Sequence, residues 1–107
     1  MNTQNDKPIS LRWRDKDGSG ETDAGVAFYE DNFNEYRLKV DMFPQSRRFY
    51  VKPVSVENGN VNYRVEMIDR KQNGKRKTVG TGSPTFTGSI RMSIPPYSQV
   101  LVLKNAQ

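Results

Sequence analysis

The chain of 107 residues contains neither cysteine nor histidine. Without cysteine it cannot form disulfides or use a thiolate nucleophile, and without both residues it cannot build a Cys/His zinc site. The most frequent general base is also missing, which leaves carboxylates, lysine or tyrosine for proton transfer. No nucleophile-elbow, P-loop or dinucleotide-binding pattern occurs. We therefore predict that the protein is not an enzyme, and we expect no cofactor.

Long apolar runs are lacking as well, since only 34% of the residues are hydrophobic. No run approaches the roughly 18 apolar residues that a membrane span requires. The N-terminal sequence MNTQNDKPIS has no charged segment followed by an apolar one, so we expect no secretory signal. These absences predict a cytoplasmic protein that does not bind membranes.

Apolar and polar residues alternate in most of the chain, which is typical of half-buried antiparallel strands. The pattern predicts strands at ISLRW, YRLKVDM, VNYRVEM and SIRMSI, residues 9–13, 36–42, 61–67 and 89–94. A shorter strand is expected at VAFYE (26–30). QVLVL (99–103) is apolar on both faces and predicts a central or doubly covered strand. No segment has an apolar stripe of helical period, so the sequence predicts an all-β protein.

Sequences typical of turns separate these strands, and their positions indicate how many strands there are. Asn-Gly pairs occur within residues 57–60 and 72–75, and proline begins the turns at 44–47 and 95–98. About six or seven short strands favour a small antiparallel barrel, OB-like or a meander, or a two-sheet sandwich. We predict a single β domain at 8–105 after a flexible N-terminal segment at 1–7. The GTGSP sequence, residues 80–84, is expected to break its strand.

The strand at residues 48–56 changes the parity of its apolar residues. A two-residue turn at Gln45 and Ser46 would place Met42 opposite Phe49, whereas the following Asn-Gly turn directs the even-numbered Val54 and Val56 inward. One extra residue resolves the conflict, and proline marks the position. We predict a β-bulge near Lys52 and Pro53, with Phe49, Val51, Val54 and Val56 all facing the core.

The segment DKDGSGETDAGV, residues 15–26, has polar side chains at the spacing of an EF-hand calcium loop. Val26 stands where such a loop needs a bidentate glutamate, and the flanking sequences predict strands instead of helices. The favoured interpretation is a hairpin loop whose Asp and Ser side chains bond nearby backbone N–H groups. The weak candidate metal ligands are Asp15, Asp17, Ser19, Glu21 and Asp23.

Charge is distributed unevenly along the chain. Residues 1–41 carry nine acidic and six basic side chains, whereas residues 42–107 carry three acidic and eleven basic ones. The segment DRKQNGKRKT has the densest positive charge, and a two-residue turn at Asn73 and Gly74 would place Lys71 opposite Arg76. Like charges across a hairpin are unfavourable, and an anionic partner would relieve them. The alternative is a solvated tip that discourages strand pairing.

The predicted register places further cations on the outer face of three central strands, around Tyr50. Cations surrounding an aromatic ring are typical of surfaces that bind single-stranded nucleic acid by phosphate contact and base stacking. The alternative is an ordinary solvated face with charge pairs. The candidate nucleic-acid-binding residues of face and hairpin are Arg37, Lys39, Arg48, Tyr50, Lys52, Arg64, Arg70, Lys71, Lys75, Arg76 and Lys77.

We predict a non-enzymatic nucleic-acid-binding protein of low sequence specificity, with single strands favoured and the choice of DNA or RNA open. The alternative is a protein-interaction module that docks on an acidic protein surface, as a complex subunit or a small inhibitor from a mobile element. Homo-oligomers and larger complexes are compatible with either function.

Overall fold

The computed structural model describes residues 7–71, 74–85 and 87–104. These residues form eight strands: β1 (Ile9–Arg14), β2 (Glu21–Glu30), β3 (Glu35–Val40), β4 (Arg47–Glu57), β5 (Asn60–Asp69), β6 (Arg76–Pro84), β7 (Ile90–Ser93) and β8 (Val100–Leu103). A single 3-10 turn, Asp31–Phe33, connects β2 to β3. The N-terminal segment predicted at 1–7, apart from Lys7, and residue 105 of the predicted domain lie outside the described residues.

The strands form a closed antiparallel barrel in which each strand pairs with the next and β8 pairs with β1. The prediction of a small all-β barrel is confirmed, with the meander order and one strand more than expected. Within the described ranges, no helix has the length and hydrophobicity needed to cross a membrane.

The core consists of the side chains that alternate inward around the barrel. Leu11, Val51, Val65 and Met92 are completely or almost completely buried. All four residues of β8 are buried, which confirms the prediction of a strand covered on both faces. On the outer face, Val102 lies between Arg12 of β1 and Arg91 of β7 in the register.

Two glycines allow the close backbone approaches that this barrel needs. Gly25 has φ +144° beside a register shift between β1 and β2, and a Cβ there would collide with the carbonyl oxygen of Lys39. A Cβ on Gly80 would collide with the carbonyl oxygen of Ser93 in β7. The prediction that GTGSP breaks its strand is wrong, because the glycine lets β7 approach and β6 continues to Pro84.

The predicted β-bulge is confirmed, since the register between β4 and β5 shifts between Pro53 and Ser55. The prediction that all four apolar residues of this strand face the core is only half correct. Phe49 and Val51 are buried, whereas Val54 and Val56 are 44% and 68% exposed. The cause is the length of the β4–β5 hairpin. β3 pairs with β4 only as far as Val51, so the part of β4 beyond Val51 has no neighbouring strand on that side.

The connection between β3 and β4 differs from the predicted two-residue turn. Leu38, not Met42, lies opposite Phe49, because residues 41–46 form a longer loop. Within it, the N–H of Phe43 donates to the carbonyl of Val40 over 3.1 Å. Met42 is therefore outside the strand and 85% exposed.

Candidate functional site

The basic hairpin between β5 and β6 has a different register from the predicted one. Ile68 lies opposite Arg76 and Met67 opposite Lys77, so the predicted like-charge pair Lys71–Arg76 is wrong. Gln72 and Asn73, at the predicted turn, lie outside the described residues.

Asp69 explains why this loop is wider than a two-residue turn. Its carboxylate accepts the N–H of Lys71 over 3.0 Å, and its carbonyl oxygen accepts the N–H of Gly74 over 3.2 Å. The same carboxylate binds the Nε of Arg47 over 3.3 Å. Asp69 is itself buried, so one acidic side chain organises the base of a loop that is otherwise cationic.

The β3–β4 and β5–β6 loops lie together at one end of the barrel. The N–H of Arg70 donates to the carbonyl of Ser46 over 2.8 Å, which joins the two loops directly. We call the exposed cations on and beside these loops, other than the paired Arg47 and Arg76, the basic end. Its members are Lys39, Arg48, Arg70, Lys71, Lys75 and Lys77.

The cations of the basic end differ from most others in their lack of acidic partners. In the described part of the chain, no carboxylate lies within ion-pair distance of any of the six. A surface cleft of about 490 Å³ runs beside the β3–β4 loop and is lined by Lys39, Arg47, Arg48 and Phe43, among others. An anion entering this cleft would meet Lys39 and Arg48, which have no carboxylate partner among the described residues. Arg47 is already paired with Asp69, and Asp41 also lines the cleft.

The outer sheet face has the predicted composition but a different chemistry. Arg37 lies opposite Tyr50, and Lys52 lies opposite Arg64, so these side chains share one face as predicted. Arg76, from the start of β6, extends across this face. Its guanidinium lies 4.3 Å from the centre of the Tyr50 ring, and Tyr50 is only 9% exposed. A nucleobase therefore cannot reach the covered face of this ring.

Arg76 is held by two carboxylates. Its two terminal nitrogens bind the two oxygens of Glu35 over 2.8 and 2.9 Å, and one of them also binds Glu66 over 3.0 Å. Glu66 accepts a further bond from the Nε of Arg64 over 2.9 Å. We call Arg76, Glu35, Glu66, Arg64 and Tyr50 the arginine network. Its two guanidiniums balance its two carboxylates.

Burial makes this network a structural element. The Glu35 carboxylate is only 2% exposed and faces a bidentate guanidinium, the geometry of the strongest protein ion pairs. The hydrogen bonds to Glu35 hold the pKa of Arg76 above its usual value. Arg37 also has a carboxylate partner, in a more exposed pair: its Nε binds Glu30 over 2.8 Å, and its guanidinium lies over the Phe28 ring.

The structure thus divides the predicted interface. It brings together the six cations of the basic end and leaves Lys52 half-buried beside Arg64. It engages Arg37, Arg64 and Arg76 with carboxylates and covers Tyr50. We therefore exclude these four residues from the interface proposed below.

The acidic segment forms a hairpin loop at residues 15–20, as the favoured interpretation predicts, and continues into β2 from Glu21. The Asp17 carboxylate accepts the N–H of Ser19 over 2.8 Å, and the hydrogen bonds from Ser19 lower the pKa of Asp17. Asp15 accepts bonds from Ser19 and from Gln99.

The two acidic residues after the loop are in strand β2 and have cationic partners. Glu21 binds Arg14, and Asp23 binds Arg12. Over the described ranges, no three acidic side chains are grouped as ligands for a metal ion.

An aromatic cluster at the same end of the barrel was not predicted as a surface feature. It consists of Trp13, Phe43 and Tyr97, with Met42 exposed beside it. The alternating pattern assigned Met42 to a strand and Trp13 to the core. A better signal is that two of the rings adjoin loop prolines, at Phe43-Pro44 and Pro96-Tyr97.

Comparisons with protein-family models, with curated proteins and with solved structures found no significant match to this chain. Any functional assignment must therefore come from the chemistry of the surfaces described above.

Proposed function

We propose that the protein binds nucleic acid without catalysing a reaction and contacts phosphates through the basic end. The observation that carries this proposal is that the cations of the basic end lack carboxylate partners. Six exposed cations lie on or beside two loops joined by the Arg70–Ser46 hydrogen bond, and none has a carboxylate partner within the described residues. The neighbouring Arg47 and Arg76, and Arg37 on the outer sheet face, are already neutralised by carboxylates.

Unpaired cations are favourable for binding a polyanion. Each phosphate that a lysine or arginine neutralises releases condensed counterions, and no ion pair within the protein has to break first. Phosphate contacts carry no sequence information, so low specificity is expected. The cleft beside Lys39 and Arg48 follows the β3–β4 loop and offers a path for a single strand.

The first experiment measures binding of single- and double-stranded oligonucleotides over a range of salt concentrations. We expect log K to fall linearly with log salt, with a slope of about −0.7 for each phosphate contacted on a single strand. Absence of binding at low salt, or binding without a salt slope, would contradict the proposal.

A charge reversal locates the interface. In Lys71→Glu/Lys75→Glu, affinity should fall at least about tenfold, because two phosphate contacts are lost and repulsion is added. The matched control is Lys7→Glu/Arg91→Glu, which changes net charge equally at two exposed cations outside these loops. An equal loss in both variants would mean that only net charge matters and that the basic end is not the site.

The alternative partner, an acidic protein surface, would use the same cations. Co-purification with and without nuclease separates the two partners. Nucleic acid that is retained until digestion supports the proposal. A defined protein partner that survives nuclease treatment, together with no oligonucleotide binding, would replace it with the interaction module.

A further inference from the structure

A second cleft opens at the same end of the barrel, on the other side of Phe43. It has a volume of about 340 Å³ and is lined by Trp13, Met42, Phe43, Tyr97, Ser98 and Gln99. Apolar clefts of this size with a few polar groups at the rim are typical of ligand sites.

Two of the three aromatic rings in this cleft are stacked on each other, and the third, Trp13, is tilted against them. Phe43 and Tyr97 lie 5.4 Å apart between ring centres at an angle of 24°, and Trp13 lies 5.7 Å from Tyr97. Trp13 and Phe43 also pack against the core, so they have a structural role. Tyr97 is 48% exposed, which leaves much of its surface available.

Phe43 connects the aromatic cleft to the basic end, because its side chain lines both clefts. The same loop therefore presents a cationic surface on one side and an aromatic surface on the other. A nucleotide has this combination of properties, an anionic phosphate beside a flat apolar base.

We propose that the aromatic cleft stacks a base of a single-stranded nucleic acid whose phosphates lie on the basic end. This inference rests on the proposed function and narrows it to unpaired strands. Bases in a duplex are already stacked and cannot enter the cleft, whereas every unpaired base has a π-face that an aromatic ring can bind.

The walls of the cleft are fixed before a ligand binds. The Nε2 of Gln99 donates to Asp15 over 2.7 Å and joins the β7–β8 loop to the β1–β2 loop. The N–H of Tyr97 donates to the carbonyl of Ile94 over 3.0 Å. Little side-chain ordering then has to accompany base stacking, which favours binding.

The test uses two probes of equal length and equal phosphate count, an oligothymidylate and an abasic phosphodiester strand. Trp13 is the sole tryptophan of the chain, so its fluorescence reports on this cleft directly. We expect oligothymidylate to quench the fluorescence and to bind about tenfold more tightly than the abasic strand.

Variants assign the effect to the ring of Tyr97. Tyr97→Ala should weaken oligothymidylate binding about tenfold without changing the salt slope or the affinity for the abasic strand. Tyr97→Phe keeps the ring and should stay within about twofold of the wild type. Phe33→Ala removes an exposed ring from the β2–β3 turn and serves as the matched control. Thermal unfolding checks that each variant is folded.

The outcomes separate this inference from the proposed function. Equal binding of the two strands, with no effect of Tyr97→Ala, would overturn base stacking and leave phosphate binding intact. Failure of both strands to bind at low salt would overturn the proposed function and the stacking site together.

Discussion

Lys75 and Arg76 are neighbours in the sequence, yet they belong to regions with opposite properties. Arg76 binds Glu35 and Glu66 and covers the ring of Tyr50. Lys75 is exposed and has no carboxylate partner among the described residues. Two equal formal charges therefore have different uses: one stabilises the barrel wall, and the other is available to a ligand. Positive charge in a sequence indicates a binding surface only where it is not already paired.

Strand geometry explains why these neighbours differ. Arg76 is the first residue of β6 and lies opposite Ile68, so its side chain is on the outer face that Glu66 shares. Lys75 precedes the strand and remains in the loop.

The largest effect should come from breaking the arginine network. Arg76→Ala leaves the buried Glu35 carboxylate without its cation, and we expect a loss of about 2–3 kcal/mol in the free energy of unfolding. This value is reduced from that of a fully buried pair, because the Arg76 side chain is one-third exposed. Urea unfolding measures the loss, and nucleic-acid affinity of the folded variant should stay within about twofold.

Two further variants test the physical cause of this loss. In Arg76→Ala/Glu35→Gln the unpaired buried charge is removed, so part of the lost stability should return. Lys75→Ala removes the neighbouring cation and should leave stability within about 0.5 kcal/mol of the wild type. If Lys75→Ala were the more destabilising of the two single variants, the distinction between the two regions would be wrong.

An intermediate effect is expected from Asp69→Asn, which changes the only carboxylate at the base of the described β5–β6 loop. The amide oxygen can still accept the N–H of Lys71, while Arg47 loses its ionic partner and becomes available to phosphate. Affinity for a single strand should therefore increase about threefold, with a steeper salt slope.

Glu57→Gln, in the exposed β4–β5 hairpin, makes the same charge change at the opposite end of the barrel. It should alter affinity much less than Asp69→Asn. An affinity decrease in Asp69→Asn would contradict the view that Arg47 is withheld from ligand by its pair.

The smallest effect is expected at an exposed arginine–carboxylate pair. The hydrogen bond from Arg14 lowers the pKa of Glu21 below its ordinary value of 4.5. Because the folded-state pKa is the lower one, this stabilisation is present above pH 4.5 and is lost as the pH falls through the folded-state value. Glu21→Gln should have a slightly lower Tm than the wild type at neutral pH, and the difference should shrink as the pH falls below 4.5.

The exposed position of Glu21 keeps this effect well below that of Arg76→Ala. Thermal unfolding of both proteins across the pH range provides the measurement. A difference between them that persists at low pH would show that the Glu21 charge is not its source.

Local patterns in the sequence predicted the architecture well. Alternation identified the strands and the outer sheet face, and the parity change identified the bulge at Pro53. These features depend on residues a few positions apart, where strand periodicity acts directly. The predicted face of Arg37, Tyr50 and Arg64 was correct for the same reason.

Such local patterns could not predict which cations form ion pairs with carboxylates. Arg76 and Glu35 are 41 positions apart and meet only because the strands between them form a curved wall. Loop lengths were also mispredicted. The hydrogen bond from Arg70 to Ser46 is a tertiary feature, whereas the capping by Asp69 is a local signal that the Asn-Gly turn pattern did not include. Both errors affected the candidate site more than the fold.

The pairing of β8 with β1 has a consequence for biosynthesis. A ribosome synthesises the chain from the N-terminus to the C-terminus. β1 therefore cannot pair with β8 until residues 100–103 have emerged from the exit tunnel. Until then the nascent sheet has two open edges and an uncovered apolar face.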